Sequence, residues 1–137
     1  MSLVTFIEEN TADLIITGGV SEERIREMET ELALCFRQEY REFLAQYGML
    51  LGFGVMILGC GKGAEASVVT ETKRFREMGL SDQYIVIRDV DEWIYCLNNN
   101  DGTVSSWDRG SRKHLPVSPD FDSYVLDELT EAKEDWD

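Results

Sequence analysis

Cysteine and histidine are scarce in this sequence, and their spacing argues against two common ways of stabilising a small protein. The 137 residues include three cysteines, Cys35, Cys60 and Cys96, and one histidine, His114. An odd number of cysteines without CxxC spacing argues against a disulfide framework and against a zinc site. Because each cysteine lies in or beside an apolar run, we expect buried thiols, no metal and a reducing, cytoplasmic environment.

Long hydrophobic runs are also missing. No apolar stretch approaches the length of about 20 residues that a transmembrane helix needs. The N-terminus, Met1–Val4, lacks the basic region that opens a signal peptide. Hydrophobic residues nevertheless make up 43% of the chain, which is too many for a disordered protein. We therefore expect a single folded domain that spans residues 1–137.

Positive charge is in short supply. The chain has 13 Lys and Arg against 27 Asp and Glu, so its net charge is −14. A surface of this sign repels phosphates, which argues against direct binding of nucleic acid or an anionic membrane. It favours a basic partner instead, although acidity that only maintains solubility explains the same composition.

Apolar residues at helical spacing predict three helices in the first third of the chain. The first covers Leu3–Ile16, and Ser21 is the N-cap of the second. The apolar stripe of the second helix continues as far as Phe36. The third covers Tyr40–Tyr47 and ends at Gly48, a C′ glycine.

The rest of the chain mixes strand and helix patterns and includes a run of consecutive strands. The predicted elements are a strand over Phe53–Leu58, a helix over Glu65–Met78, strands over Tyr84–Arg88, Glu92–Leu97 and Thr103–Trp107, and a last helix that begins near Phe121. Short polar turns between consecutive strands imply antiparallel pairing. We therefore predict an α+β fold in which helices pack against a mainly antiparallel sheet.

A glycine-rich turn, Gly59–Gly63, is the strongest hint of nucleotide binding. It fails as a Walker A loop because Lys62 is followed by Gly63 rather than by Ser or Thr. The series Gly61-x-Gly63-x-x-Ala66 fits a dinucleotide fingerprint in part, yet only one βαβ-like unit is present before the meander. We interpret the segment as a tight turn and predict no cofactor.

Catalytic machinery is sparse as well. His114 follows the basic, polar stretch Arg109–Lys113, where a solvated loop histidine is expected rather than a general base. A cysteine nucleophile would need the same histidine as its partner. Among 27 acidic residues no carboxylate pair stands out. We therefore predict no catalytic residues and no enzymatic activity.

Acidic and aromatic residues gather around the predicted central hairpin. The candidate partner-binding residues are Asp89, Asp91, Glu92, Trp93 and Asp108. Aromatic side chains beside acids are typical anchors of protein interfaces. Strand alternation places Trp93 and Tyr95 on one face and Ile94 and Cys96 on the other. Packing of the same aromatic residues in the core is the open alternative.

Three stretches carry a family resemblance through their order and spacing. They are Ser21–Gly48 with Tyr40-Arg41-Glu42-Phe43-Leu44 and Tyr47-Gly48, then Gly79–Ile87 with Ile94–Leu97, then Val104–Asp108 before a helix near Phe121. Together they resemble the SUKH superfamily, which includes the yeast cell-wall-synthesis regulator and many bacterial immunity proteins. The chain departs from the pattern at Phe36-Arg37, where members usually carry Leu-Pro, and this blurs the start of the third helix.

The resemblance implies an α+β domain without catalytic residues. Bacterial members bind cognate toxin domains, often nucleases, and nucleases tend to expose basic substrate channels. An acidic immunity protein that covers the basic C-terminal nuclease domain of a toxin is the function that both the charge and the resemblance favour. A regulatory scaffold that recruits other proteins, without a toxin partner, is the alternative.

Overall fold

The computed structural model describes residues 1–63 and 65–136, so residues 64 and 137 of the predicted domain span lie outside it. The helices are α1 (Leu3–Glu9), α2 (Glu22–Leu32), α3 (Gln38–Gln46), α4 (Ser67–Glu77) and α5 (Phe121–Trp136). The strands are β1 (Leu14–Ile16), β2 (Leu50–Gly52), β3 (Val55–Ile57), β4 (Tyr84–Asp89), β5 (Ile94–Asn98), β6 (Val104–Asp108) and β7 (Lys113–Ser118).

The strands form two antiparallel sheets, one with the order β1-β2-β3 and one with the order β4-β5-β6-β7. The sheets are linked where β3 ends, because Leu58 N donates a hydrogen bond of 2.8 Å to Ile87 O in β4. The predicted α+β class with antiparallel pairing is therefore confirmed.

Helices α4 and α5 cover opposite faces of the four-stranded sheet. On one face, Phe75 of α4 meets Trp107 edge-on, with 6.2 Å between ring centroids. On the other, Tyr124 of α5 packs against Tyr95 at 5.1 Å. Strand β4 lies between the two helices, and its residues 85–87 are fully buried. Strand β4 is apolar on both faces because both faces are covered.

An aromatic cluster joins α3 to the end of β3 and the start of α5. The ring centroids of Tyr40 and Phe43 in α3 lie 5.3 and 5.2 Å from that of Phe121, and both contacts are edge-on. The buried Tyr40 hydroxyl donates to Leu58 O at 2.7 Å, so its polar atom is satisfied inside the core. Helix α3 begins at Gln38, and Asn99 Oδ1 accepts from Arg37 N at 3.1 Å just before it. The helix start thus has a partner in a distant turn, although the family's proline is missing.

Two predicted elements are wrong in extent. The helix predicted over Leu3–Ile16 ends at Glu9, and Leu14–Ile16 is instead a strand that pairs with Leu50–Gly52. The strand predicted over Phe53–Leu58 is in fact half of a hairpin. Phe53 and Gly54, with φ of 50° and 81°, form the turn between β2 and β3.

Two further predictions need correction. The second helix ends at Leu32, because Ala33 adopts a left-handed conformation with φ of 56°, and the buried Phe36 follows outside the helix. The stretch interpreted as a loop around His114 is the edge strand β7. Its proline, Pro116, is tolerated there because an edge strand pairs on one side only. The other predicted helices and strands are confirmed within a few residues at their ends.

Candidate interaction surface

The turn between β4 and β5 is held by Asp89. Its Oδ1 accepts from Asp91 N at 2.8 Å, and its Oδ2 lies 3.3 Å from Arg74 Nη2 of α4. Asp91 has φ of 71°, a left-handed conformation that Asp and Asn tolerate better than most residues. Both oxygens of Asp89 are therefore engaged within the chain, and the exposed Asp91 and Glu92 form the outer part of the turn.

Three of the five candidate residues line one groove of about 550 Å³. They are Glu92, Trp93 and Asp108, and they share the groove with Tyr95, Ser106, Ser111, Lys113, Leu115 and Val117. We call it the sheet groove. Asp108 also orders the next turn, since its Oδ1 accepts from Gly110 N at 2.8 Å. Asp89 and Asp91 stand at the turn, outside the lining of the sheet groove.

The aromatic residues of this region divide between the core and the surface. Trp107 is 2% exposed, whereas Trp93 is 40% exposed. Tyr95 is half-buried, and Ile94 and Cys96 are buried, as the alternation of the strand predicts. The core interpretation is therefore correct for Trp107, while Trp93 remains accessible to a partner.

Sequence reasoning missed the apolar half of the sheet groove. Leu115 and Val117 of β7 are 66% and 43% exposed, and both line the groove. Tyr95, Ser106 and Leu115 are register partners across β5, β6 and β7, so they form one row on one face of the sheet. The available signal was the spacing of two between Leu115 and Val117, which is typical of a strand face.

His114 is half-buried in β7 rather than solvated in a loop. Its ring stacks on Tyr84 with 4.0 Å between centroids, and its Nδ1 lies 2.8 Å from Ser105 Oγ. Burial lowers the pKa of the imidazole. Ser105 is itself buried, which suits a residue that orients the imidazole better than a nucleophile.

The glycine-rich turn packs against the end of α3. Cys60 N donates to Gly48 O at 2.9 Å, and a Cβ at Gly59 would overlap that same carbonyl oxygen. Ser67 Oγ, at the start of α4, lies 3.1 Å from both Gly59 N and Gly59 O. The close approach of two backbones explains why glycine stands at position 59.

Two of the three cysteines are buried. Cys60 and Cys96 are buried, and burial raises the pKa of the Cys96 thiol. Cys35 is exposed, so the prediction of three buried thiols is wrong for this residue.

Within residues 1–63 and 65–136, no three His, Cys, Asp or Glu side chains are grouped to hold a metal ion. In the same part of the chain, each helix is too short or too polar to cross a lipid bilayer.

Comparison with known families gives one match that covers most of the chain. A family model described as SMI1-KNR4 cell-wall, SUKH_5, matches residues 3–130. The match includes the elements α1 to β7, most of α5 and all five candidate residues. This chain therefore belongs to the SMI1-KNR4 family of the SUKH superfamily.

Proposed function

We propose that the chain is an immunity protein that binds a basic toxin domain, a nuclease, and blocks it sterically. The observation that carries this proposal is the sheet groove, where the exposed Trp93 lies beside Glu92 and Asp108. Membership of the SUKH superfamily supports it, because the superfamily includes many bacterial immunity proteins. The net charge of −14 also supports it, because a negative surface speeds encounter with a basic substrate channel.

The mechanism requires binding and no chemistry. An aromatic anchor such as Trp93 supplies affinity when it is buried by the partner, and the acids Glu92 and Asp108 supply orientation. A nuclease whose channel is covered by this surface has no access to its substrate. Because toxin and antitoxin are made in the same cell, the proposed site of action is the cytoplasm.

The surroundings of His114 and Cys96 support a non-enzymatic role. The ring of His114 is stacked on Tyr84, and its Nδ1 is in contact with the hydroxyl of Ser105. The Cys96 thiol is buried with a raised pKa, so it is a poor nucleophile at neutral pH. Neither group has the exposed, activated environment that covalent catalysis needs.

A rescue experiment tests the proposal. An immunity protein is expected to be encoded beside a gene with a toxin-like C-terminal domain, and that domain is expressed in bacteria with and without the chain. We expect growth to be restored by the chain and a 1:1 complex to be recovered by size-exclusion chromatography. Full lethality together with the absence of a complex would contradict the proposal for that partner. If a Trp93→Ala variant rescues as well as the parent, the toxin binds at a different surface of the chain.

The alternative is a regulatory scaffold, which the family description as a cell-wall protein favours. A scaffold would bind a host regulatory protein and leave the adjacent toxin domain active. The same rescue assay separates the two functions, because only an immunity protein suppresses lethality.

A further inference from the structure

Helix α5 leaves part of the four-stranded sheet uncovered. Tyr124 of α5 packs over Tyr95 in β5, but the rest of that row extends through Ser106 to Leu115 at the sheet edge. Leu115 and Val117 are among the most exposed large apolar side chains of the described residues. An uncovered apolar strip of this kind on a folded domain is typical of a docking site.

A second groove continues from the first across Tyr95. It measures about 440 Å³ and is lined by Tyr95 together with Phe53, Gly54, Val55, Arg88, Glu128, Glu131, Ala132, Asp135 and Trp136. We call it the helix groove. In its lining the exposed ring of Trp136 meets Phe53 edge-on, with 6.2 Å between centroids. The two grooves thus share Tyr95, and each is lined by one exposed tryptophan, Trp93 in the sheet groove and Trp136 in the helix groove.

The charges along this surface decide the kind of occupant. In the helix groove, Arg88 is neutralised by Glu128, with 2.9 Å between Nη1 and Oε2. Four other acids line the two grooves without an ion pair among the described residues; they are Glu92, Asp108, Glu131 and Asp135. Lys113 is the remaining cation of the two linings. The sheet groove is therefore mainly apolar and the helix groove mainly polar, and we call the four acids without an ion pair the rim.

The geometry points to a docking site for one extended basic segment of the partner, an inference that rests on the function proposed above. Aliphatic side chains of the segment pack against Trp93, Leu115 and Val117, and its Lys or Arg side chains meet the acids of the rim. A second copy of this chain is a poor occupant, because its own acids would repel the rim. Pro116 also lacks an N–H in the edge strand, which disfavours strand pairing between copies.

Fluorine NMR of tryptophan tests the inference. The chain is labelled with 5-fluorotryptophan, and its three signals are assigned with Trp93→Phe, Trp107→Phe and Trp136→Phe. The probes are an inactivated form of the adjacent toxin domain and a peptide of alternating Lys and Leu. We expect the signals of Trp93 and Trp136 to shift with both probes. The signal of Trp107 should stay in place, because this side chain is 2% exposed.

Matched variants separate the docking surface from general stickiness. Leu115→Ser removes an exposed aliphatic side chain from the edge strand β7, and Ile15→Ser removes one of similar exposure from the edge strand β1. We expect Leu115→Ser to weaken toxin binding about tenfold or more, and Ile15→Ser to change it less than about twofold. Urea unfolding of both variants checks that the fold is retained.

The outcomes distinguish failure of the site from failure of the function. If toxin binds and rescue occurs while Trp93 and Trp136 do not shift, the docking site is wrong and the immunity function stands. If toxin neither binds nor is neutralised, the proposed function fails. The shifts of the Trp93 and Trp136 signals with the Lys-Leu peptide then test the docking site independently. A peptide of alternating Glu and Leu that binds as well as the Lys-Leu peptide would overturn the basic occupant. Dimerisation of the chain that is lost in Leu115→Ser would assign the surface to a second copy and also overturn it.

Discussion

At the scale of single residues, the carboxylate of Glu29 connects three parts of the chain. Its Oε2 accepts from Phe36 N at 2.7 Å, and its Oε1 lies 3.1 Å from Arg41 Nη2. The side chain is 12% exposed, so the carboxylate ties α2 to the following loop and to α3 while partly shielded from water. Removing one partner of such a group leaves the others unsatisfied, which costs more than the hydrogen bonds themselves contribute.

We expect Glu29→Ala to lower the free energy of unfolding by about 2–3 kcal/mol. The matched control is Glu31→Ala, because Glu31 lies on the same helix and is exposed to solvent. This control should change the stability by less than about 0.5 kcal/mol. Urea denaturation measures both. Equal losses in the two variants would show that the network around Glu29 contributes nothing specific.

His114 makes a pH dependence testable, because the chain has no other histidine to obscure its signal. Burial lowers its pKa from the ordinary value of 6.5, so the folded state favours the neutral imidazole. The resulting stabilisation is complete above pH 6.5 and is lost as the pH falls from there toward the folded pKa. We expect an NMR titration to give a pKa below 6.5, and Tyr84→Ala to bring it closer to that value. Between about pH 7 and about pH 5.5, His114→Gln should lose less stability than the parent, and an equal loss would contradict the assignment.

At the scale of elements, the end of α3 and the turn before α4 are in backbone contact. Gly48 has φ of 75°, and a Cβ there would overlap Gly18 O and lie 2.8 Å from Cys60 O. We expect Gly48→Ala to cost more than about 2 kcal/mol of stability, through both the backbone conformation and the overlap. Gly63→Ala is the control, since a Cβ at Gly63 has no neighbour within 4 Å. Thermal and urea unfolding compare the stability of the two variants. A small loss of stability in Gly48→Ala would mean that the backbone contact between the end of α3 and the turn before α4 contributes little to the stability of the fold.

The elements also show which features a sequence can reveal. Helix α3 was predictable because its apolar residues repeat locally and need no information from elsewhere. Strand β1 was not, since Leu14–Ile16 becomes a strand by pairing with Leu50–Gly52, about 36 residues later in the chain. Strand β7 was hidden by Pro116 and by a basic start, both of which are compatible with a strand at a sheet edge.

The candidate surface was predictable to a similar degree. Trp93 and Glu92, which line the sheet groove, were proposed from the sequence because a turn rich in acids beside an aromatic strand is visible in the sequence itself. Leu115 and Val117 were missed because they are exposed only where α5 does not cover the sheet. Which part of the sheet α5 covers depends on tertiary packing, which local sequence patterns do not indicate. The same dependence places Asp89 in contact with Arg74 of α4, which no local pattern indicates.

At the scale of the whole molecule, the net charge of −14 is the property that a distant partner detects first. The positions of the charges then decide how the partner is oriented on the surface. Two charge reversals at different positions separate the effect of position from that of total charge. Glu92→Lys and Glu31→Lys each add two positive units, so both variants carry −14 + 2 = −12. Glu92 lines the sheet groove, whereas Glu31 lies exposed on α2.

We expect Glu92→Lys to slow association with the proposed toxin partner several-fold at low ionic strength and to reduce the salt dependence of the rate. Glu31→Lys should change the rate little, because its total charge is the same and its position lies away from the proposed contact. Stopped-flow mixing at low and high salt measures both rates. The difference between the variants should largely disappear near 0.5 M salt, where the Debye length falls to about 4 Å. If the two variants slow association equally, the total charge directs the encounter, and the acids of the sheet groove have no special part in it.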